Sequence, residues 1–152
     1  MERVRGFSLL ELVAALVLAG IALSIAVPRL DALVRRERVR AALNHVAGDL
    51  EFTRMAAVRS GNGAVLRLVP DPRCPRRGGA GYTVSVRGSE DVLRASPHVE
   101  GVPVCYEVNA DSISYNSRGL LAPFNNRTVR AVRGDARDSL TVSVLGRIYR
   151  RF

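Results

Sequence analysis

The chain has 152 residues and a mass of 16.5 kDa, room for one modest domain with an appendage and too little for a two-domain enzyme. Apolar residues make up 47% and charged residues 24%, so most of the chain is expected to fold. All 23 basic residues are Arg, against 14 acids; the net +9 favours an anionic partner, phospholipid or nucleic acid, while two Cys and two His in no ligand-like cluster nearly exclude a zinc module, and no metal or cofactor is expected.

The chain opens Met1-Glu2-Arg3-Val4-Arg5-Gly6, continues Phe7-Ser8-Leu9-Leu10-Glu11-Leu12, and stays apolar to Val27. The 21 residues from Phe7 to Val27 would span ~31 Å as a helix, the thickness of a bilayer core. Glu11 breaks the apolar pattern. An acid at membrane depth costs about 2.5–3.5 kcal/mol on insertion scales, and so marks a function with a partner. A plain signal anchor gives Glu11 no role. A cleaved secretory signal fits the basic start and the small-x-small Ser24-Ile25-Ala26, but fits neither the length of the run nor an acid inside it. Taken as a unit, Gly6-Phe7-Ser8-Leu9-Leu10-Glu11 resembles the type III signal of type IV prepilins and pseudopilins. The resemblance implies a leader over residues 1–6 removed after Gly6 by prepilin peptidase, N-methylation of Phe7, and Glu11 as fifth residue of the mature chain.

That spacing has a physical reason. Cleavage creates an α-amine at Phe7, one helical turn from Glu11. In an apolar filament core, the amine of one subunit and Glu11 of a neighbour neutralise each other. Removing either leaves a buried charge unpaired, at a cost of about 3–5 kcal/mol. One pattern runs the other way. More Arg follow the apolar segment (Arg29, Arg35, Arg36, Arg38, Arg40) than precede it (Arg3, Arg5), which by charge counting alone puts the bulk of the chain in the cytoplasm. The cleavage motif overrides that count here.

Residues 7–27 are thus read as a transmembrane and filament-core helix, and residues 28–60 as its amphipathic continuation. Pro28 is expected to kink it, lacking an N–H and clashing with the preceding turn. Val39, Ala42, Leu43, Val46, Leu50 and Ala57 follow helical spacing, with Arg36, Arg40 and Arg54 on other faces. Gly61-Asn62-Gly63 ends the run. Glu11 and Pro28 are the residues assigned to assembly.

From Ala64 the period becomes two, in Tyr82–Arg87, in Val102, Val104, Tyr106 and Val108, and in Leu140, Val142 and Val144. Gly78-Gly79-Ala80-Gly81, Asn116-Ser117-Arg118-Gly119 and Arg133-Gly134-Asp135 read as turns. Leu145-Gly146-Arg147-Ile148 reads as a tight hairpin with Gly first in the turn, and Val69 to Ala80 as an exposed basic loop. Residues 61–152 are therefore expected to form a small antiparallel β domain on the C-terminal half of the helix, an α+β fold. Cys74 and Cys105 would pair in an oxidising compartment, closing a loop worth about 3–4 kcal/mol on chain-entropy grounds; the alternative is two unpaired thiols.

No catalytic constellation is present in the sequence. His45 sits near the helix stripe and His98 in a turn, with no nucleophile pattern. Asp49 and Glu51 share no helix face, and Asp135 and Asp138 read as loop solvation. The chain reads as a non-enzyme. Its prepilin start, long helix, Tyr115-Asn116-Ser117-Arg118-Gly119 and terminal Leu140–Arg147 together resemble the GspH/FimT family of minor pseudopilins of type II secretion and minor pilins of type IV pili. The resemblance implies the type IV pilin-like fold and single-pass anchoring in the bacterial inner membrane with the C-terminal domain in the periplasm. It further implies partnership with other pilins, an inner-membrane assembly platform and the lipid bilayer, and a place near the filament tip. Some FimT-like members bind DNA through a Gly-Arg-x-Arg tail. Here Gly146-Arg147-Ile148-Tyr149-Arg150-Arg151 carries the Gly and first Arg, with the second Arg one position late. Arg130, Arg133, Arg147, Arg150 and Arg151 are the candidate DNA-binding residues, and DNA uptake is the alternative function.

Overall fold

A computed structural model describes residues 9–75, 78–96 and 103–151. The chain separates into two compact units, Met1–Val34 and Arg35–Phe152. Helix α1 (Leu9–Ser60) runs continuously through Pro28 and contributes to both.

In the first unit the helix is apolar and bare. Leu9, Leu16, Leu18, Ile21 and Val27 are all more than half exposed, and the apolar membrane-length window of the helix is not buried among the described residues. Such a surface is stable only in lipid or against other subunits.

In the second unit the same helix buries one stripe. Val39, Leu43, Val46, Leu50 and Ala57 recur at intervals of three, four and seven residues and are all but fully enclosed, with the polar Asp49 and Thr53 on the same face. The stripe packs on an antiparallel sheet of β1 (Ala64–Pro70), β2 (Gly78–Val86), β3 (Val92–Ala95), β4 (Cys105–Val108), β5 (Ser112–Tyr115), β6 (Arg127–Arg133), β7 (Ala136–Val142) and β8 (Ile148–Arg151). The strand order is β5-β1-β2-β4-β6-β7-β8, and β3 pairs with the far end of β2. Alternate residues face the helix: Leu66, Tyr82, Val84, Tyr106, Val108, Ile113, Tyr115, Val129, Ala131, Leu140 and Val142 complete one core.

Three local expectations change. Gly78-Gly79-Ala80-Gly81 is not a turn but the start of β2, and the basic loop is correspondingly short, since β1 extends to Pro70. The cause is close backbone approach: a Cβ at Gly79 would overlap the Val69 carbonyl, where a bulge shifts the β1–β2 register. The terminal hairpin also turns earlier than expected. The Gly146 N–H bonds the Ser143 carbonyl at 2.8 Å, so Val144 and Leu145 occupy the tip, and Gly146 closes the turn at φ +77°. A second reason for glycine there is space, because a Cβ would lie 3.0 Å from the Arg54 side chain.

Of the other sequence expectations, Val102 and His98 lie outside the described residues. Arg133-Gly134-Asp135 and Asn116–Gly119 are turns, the latter closed by a bond of 2.9 Å from the Gly119 N–H to the Asn116 carbonyl. Cys74 and Cys105 form a disulfide with Cα atoms 5.5 Å apart, tying the loop after β1 to β4.

Candidate functional site

Gly6 and Phe7 lie outside the described residues. Glu11 falls in the first described turn of α1, exposed among Leu9, Leu10, Leu12 and Val13, the one acid between Leu9 and Val27.

Among the arginines proposed from the sequence, Arg130, Arg133, Arg147 and Arg150 do not form one patch. Register decides this. In β6, Val129 and Ala131 face the helix, so Arg130 points to the outer face and Arg133 to the helix side. In β8, Arg150 stands opposite the core residue Leu140 and Arg151 opposite Ser139, which puts those two positions on opposite faces. The guanidinium of Arg150 donates to the Asn44 side chain at 2.8 Å and the Arg40 carbonyl at 3.2 Å, and lies 3.5 Å from Asp138. Arg150 is thus engaged in docking β8 on the helix. Arg147 follows the hairpin tip and is exposed. The two acids read as loop solvation are used too: Asp135 pairs with Arg35 at 3.0 Å, which holds its carboxyl below the usual range after the larger pull of its own backbone hydrogen bond, and Asp138 sits in β7 facing Arg150.

A polar cluster that sequence spacing did not single out lies inside the second unit. Asp49 is 7% exposed and accepts two bonds of 2.7 Å, from the Tyr82 hydroxyl and from a guanidinium nitrogen of Arg94. Arg94 in turn lies 4.2 Å from the centre of the Phe52 ring. Burial, and then the Asp49 carboxylate, push Tyr82 well above the ordinary tyrosine pKa, and burial raises Tyr106, edge-on to it with ring centres 5.6 Å apart. The cluster fixes the edge strand β3 to the helix. It contains no nucleophile–base pair, and no group of three or more His, Cys, Asp or Glu among the described residues could hold a metal ion.

Comparisons with known proteins agree with this geometry. Residues 42–146 match the family described as type II transport protein GspH, and residues 1–27 match the prokaryotic N-terminal methylation motif. A comparison with curated proteins gives no match. Two crystal forms of the type IV minor pilin FimU of Pseudomonas aeruginosa strain PAO1 share the fold. The P21 form aligns with a TM-score of 0.63 at 19% identity over 79% of this chain and 92% of that one. The P65 form gives 0.58 at 20% identity over 74% and 92%. The long N-terminal helix and antiparallel sheet are those of the type IV pilin fold. The chain belongs to the GspH family of pilin-like proteins, the minor pilins and pseudopilins of type IV pilus and type II secretion filaments.

Proposed function

We propose that this chain is a filament subunit that prepilin peptidase cleaves between Gly6 and Phe7 and methylates at Phe7. Before assembly it sits in the inner membrane as a single-pass protein with its C-terminal unit in the periplasm. An assembly platform then moves it into a pilus or pseudopilus, near the tip. The observation that carries this reading is the bare apolar surface of α1 with Glu11 as its one acid near the start. Lipid can cover the apolar residues before assembly, and neighbouring helices can cover them afterwards. Only the second environment supplies a partner amine for Glu11. Glu11→Val should therefore leave membrane insertion intact, or ease it, since the desolvation cost of the acid disappears. Incorporation into sheared filaments should fall at least tenfold, because the neighbour's amine is left unpaired. Normal incorporation of the variant would sink the pairing argument.

DNA binding is a second reading, supported by the exposure of Arg130 and Arg147, neither in an ion pair among the described residues. Contacts to phosphates carry it, so it should be sequence-tolerant and salt-dependent. Arg130→Gln with Arg147→Gln should flatten the slope of log affinity against log salt by about two units. A wild-type chain that fails to shift duplex DNA at ~50 mM salt, where phosphate contacts are strongest, removes this reading.

A further inference from the structure

Five arginines fall within residues 29–40, directly after the apolar segment. Topology counting sets them against the orientation proposed above, and neither the core nor the Asp49 cluster uses them. Two are satisfied by acids: Arg35 by Asp135 at 3.0 Å and Arg40 by Glu37 at 2.9 Å. Arg36 is exposed and touches Asp135 only through longer-range attraction; it makes no hydrogen bond or ion pair among the described residues. Arg137, at the start of β7, is also exposed, and its side chain makes no hydrogen bond or ion pair among the described residues. Arg36 and Arg137 line one groove of about 630 Å³ with Arg40, Arg150, Val39 and Ala136 and with two acids, Asp135 and Asp138, which pair with Arg35 and Arg150. Arg150 is held in place there by Asn44 and Asp138.

We propose that this groove binds the phosphodiester headgroup of an anionic phospholipid, in the leaflet that faces the C-terminal unit. The guanidiniums of Arg36 and Arg137 donate to the phosphate oxygens, a geometry for which the planar arginine fork is suited and lysine is not. Sequence placement selects lipid over other phosphates. Past Arg29, exposed apolar residues recur along α1 at Leu30, Leu33 and Val34, with Asp31 among them, and the next two residues are Arg35 and Arg36. Basic residues where a lipid-facing helix surface ends are the ordinary mark of anionic headgroup contact. The inference rests on the membrane-anchored reading, because an inserted helix keeps headgroups at high local concentration for the rest of the same chain. Such a contact would hold the unassembled subunit against the bilayer, and would have to be released when the subunit enters a filament.

The test uses the full chain in neutral detergent, titrated by calorimetry with short-chain phosphatidylglycerol, short-chain phosphatidylcholine, inorganic phosphate and a DNA duplex. Phosphatidylglycerol is expected to bind at least tenfold more tightly than either phosphatidylcholine or phosphate. Arg36→Gln with Arg137→Gln should weaken it about 25-fold. If that pair melts early, Arg36→Lys with Arg137→Lys replaces it, and should lose several-fold because charge is kept and two-pronged donation is not. Equal binding of the two lipids overturns the proposal, as does an unaffected variant. Phosphate binding as tight as phosphatidylglycerol makes the groove a free-phosphate site and also overturns it. So does loss of duplex binding with phosphatidylglycerol binding unchanged. Retention of the chain in phosphatidylcholine liposomes through alkaline carbonate extraction tests the anchor separately. Release there overturns the anchored reading, whereas retention with headgroup indifference overturns the headgroup site alone.

Discussion

Asp49→Ala is the sharpest perturbation of the second unit. The substitution removes the acceptor of the Tyr82 hydroxyl, and Tyr82 is only 1% exposed, so water cannot replace the bond without opening the core. A hydrogen bond to a charged group contributes about 1.5–3 kcal/mol, and the orphaned hydroxyl keeps the loss near the top of that range. The Arg94 side is weaker. Its side chain is 49% exposed, so solvent screens the ion pair and its share is about 0.2–1 kcal/mol. The expected total is about 2–4 kcal/mol, or a fall of roughly 10 °C in melting temperature for a unit of this size. The assay is the near-ultraviolet tyrosine signal of the full chain in neutral detergent, which reports the packed unit rather than the apolar helix. Combining Asp49→Ala with Tyr82→Phe gives the coupling, expected to exceed ~1 kcal/mol because the double variant has no orphaned hydroxyl. A single variant that costs under ~1 kcal/mol, or strictly additive effects, would refute the claim that this bond anchors β2 to the helix.

Alkaline pH should unfold the unit through its buried tyrosines. Burial lifts Tyr115 from 10.0 to about 12, and Tyr82 and Tyr106 are raised as well. The unfolded chain then loses its tyrosine protons first, so stability is full below pH ~10 and falls as the pH climbs towards 12, by up to about 1.4 kcal/mol per pH unit for each such residue. Melting curves from pH 8 to 12 check the sign, and Tyr115→Phe should shallow the decline; a flat profile contradicts it. Replacing Cys74 and Cys105 together by Ser reopens a loop with 31 residues of separation and should cost about 3–4 kcal/mol in denaturant unfolding. Equal midpoints for that variant and the wild type would show that the bridge contributes nothing.

The sequence disclosed those elements whose residues repeat a single periodicity. Val39, Leu43, Val46, Leu50 and Ala57 mark the buried stripe because every fourth or third residue is apolar, and each is buried. Asp49 and Thr53 lie on the same spacing but are polar, so hydrophobic periodicity passes over them; an acid inside an apolar stripe was the available signal. The glycines at 78–81 read as a turn because composition records missing side chains, not what approaches the backbone. Only the pairing with Val69 reveals a strand. The short strands β3 and β5 carry too few residues for alternation to be visible, and Val92 and Leu93 of β3 are exposed. The basic residues show the limit most clearly. Counting gives seven Arg against two Asp from Arg127 to Phe152, yet which Arg are available depends on partners distant in sequence. Arg150 meets Asn44, 106 residues away, and no local pattern encodes that. The N-terminal segment was legible for the opposite reason, since its requirement of apolar length with one acid near the start is local and linear.

The central claim is that this chain becomes a filament subunit by cleavage after Gly6. The direct measurement is the mass of the N-terminal peptide of the protein isolated from native membranes. The account predicts a chain beginning at Phe7, carrying one methyl group on its α-amine and lacking Glu2, Arg3 and Arg5. A chain beginning at Val27, after the small-x-small Ser24-Ile25-Ala26, would make this an ordinary secreted protein; an intact Met1 would leave it a plain membrane anchor. Either result contradicts the account.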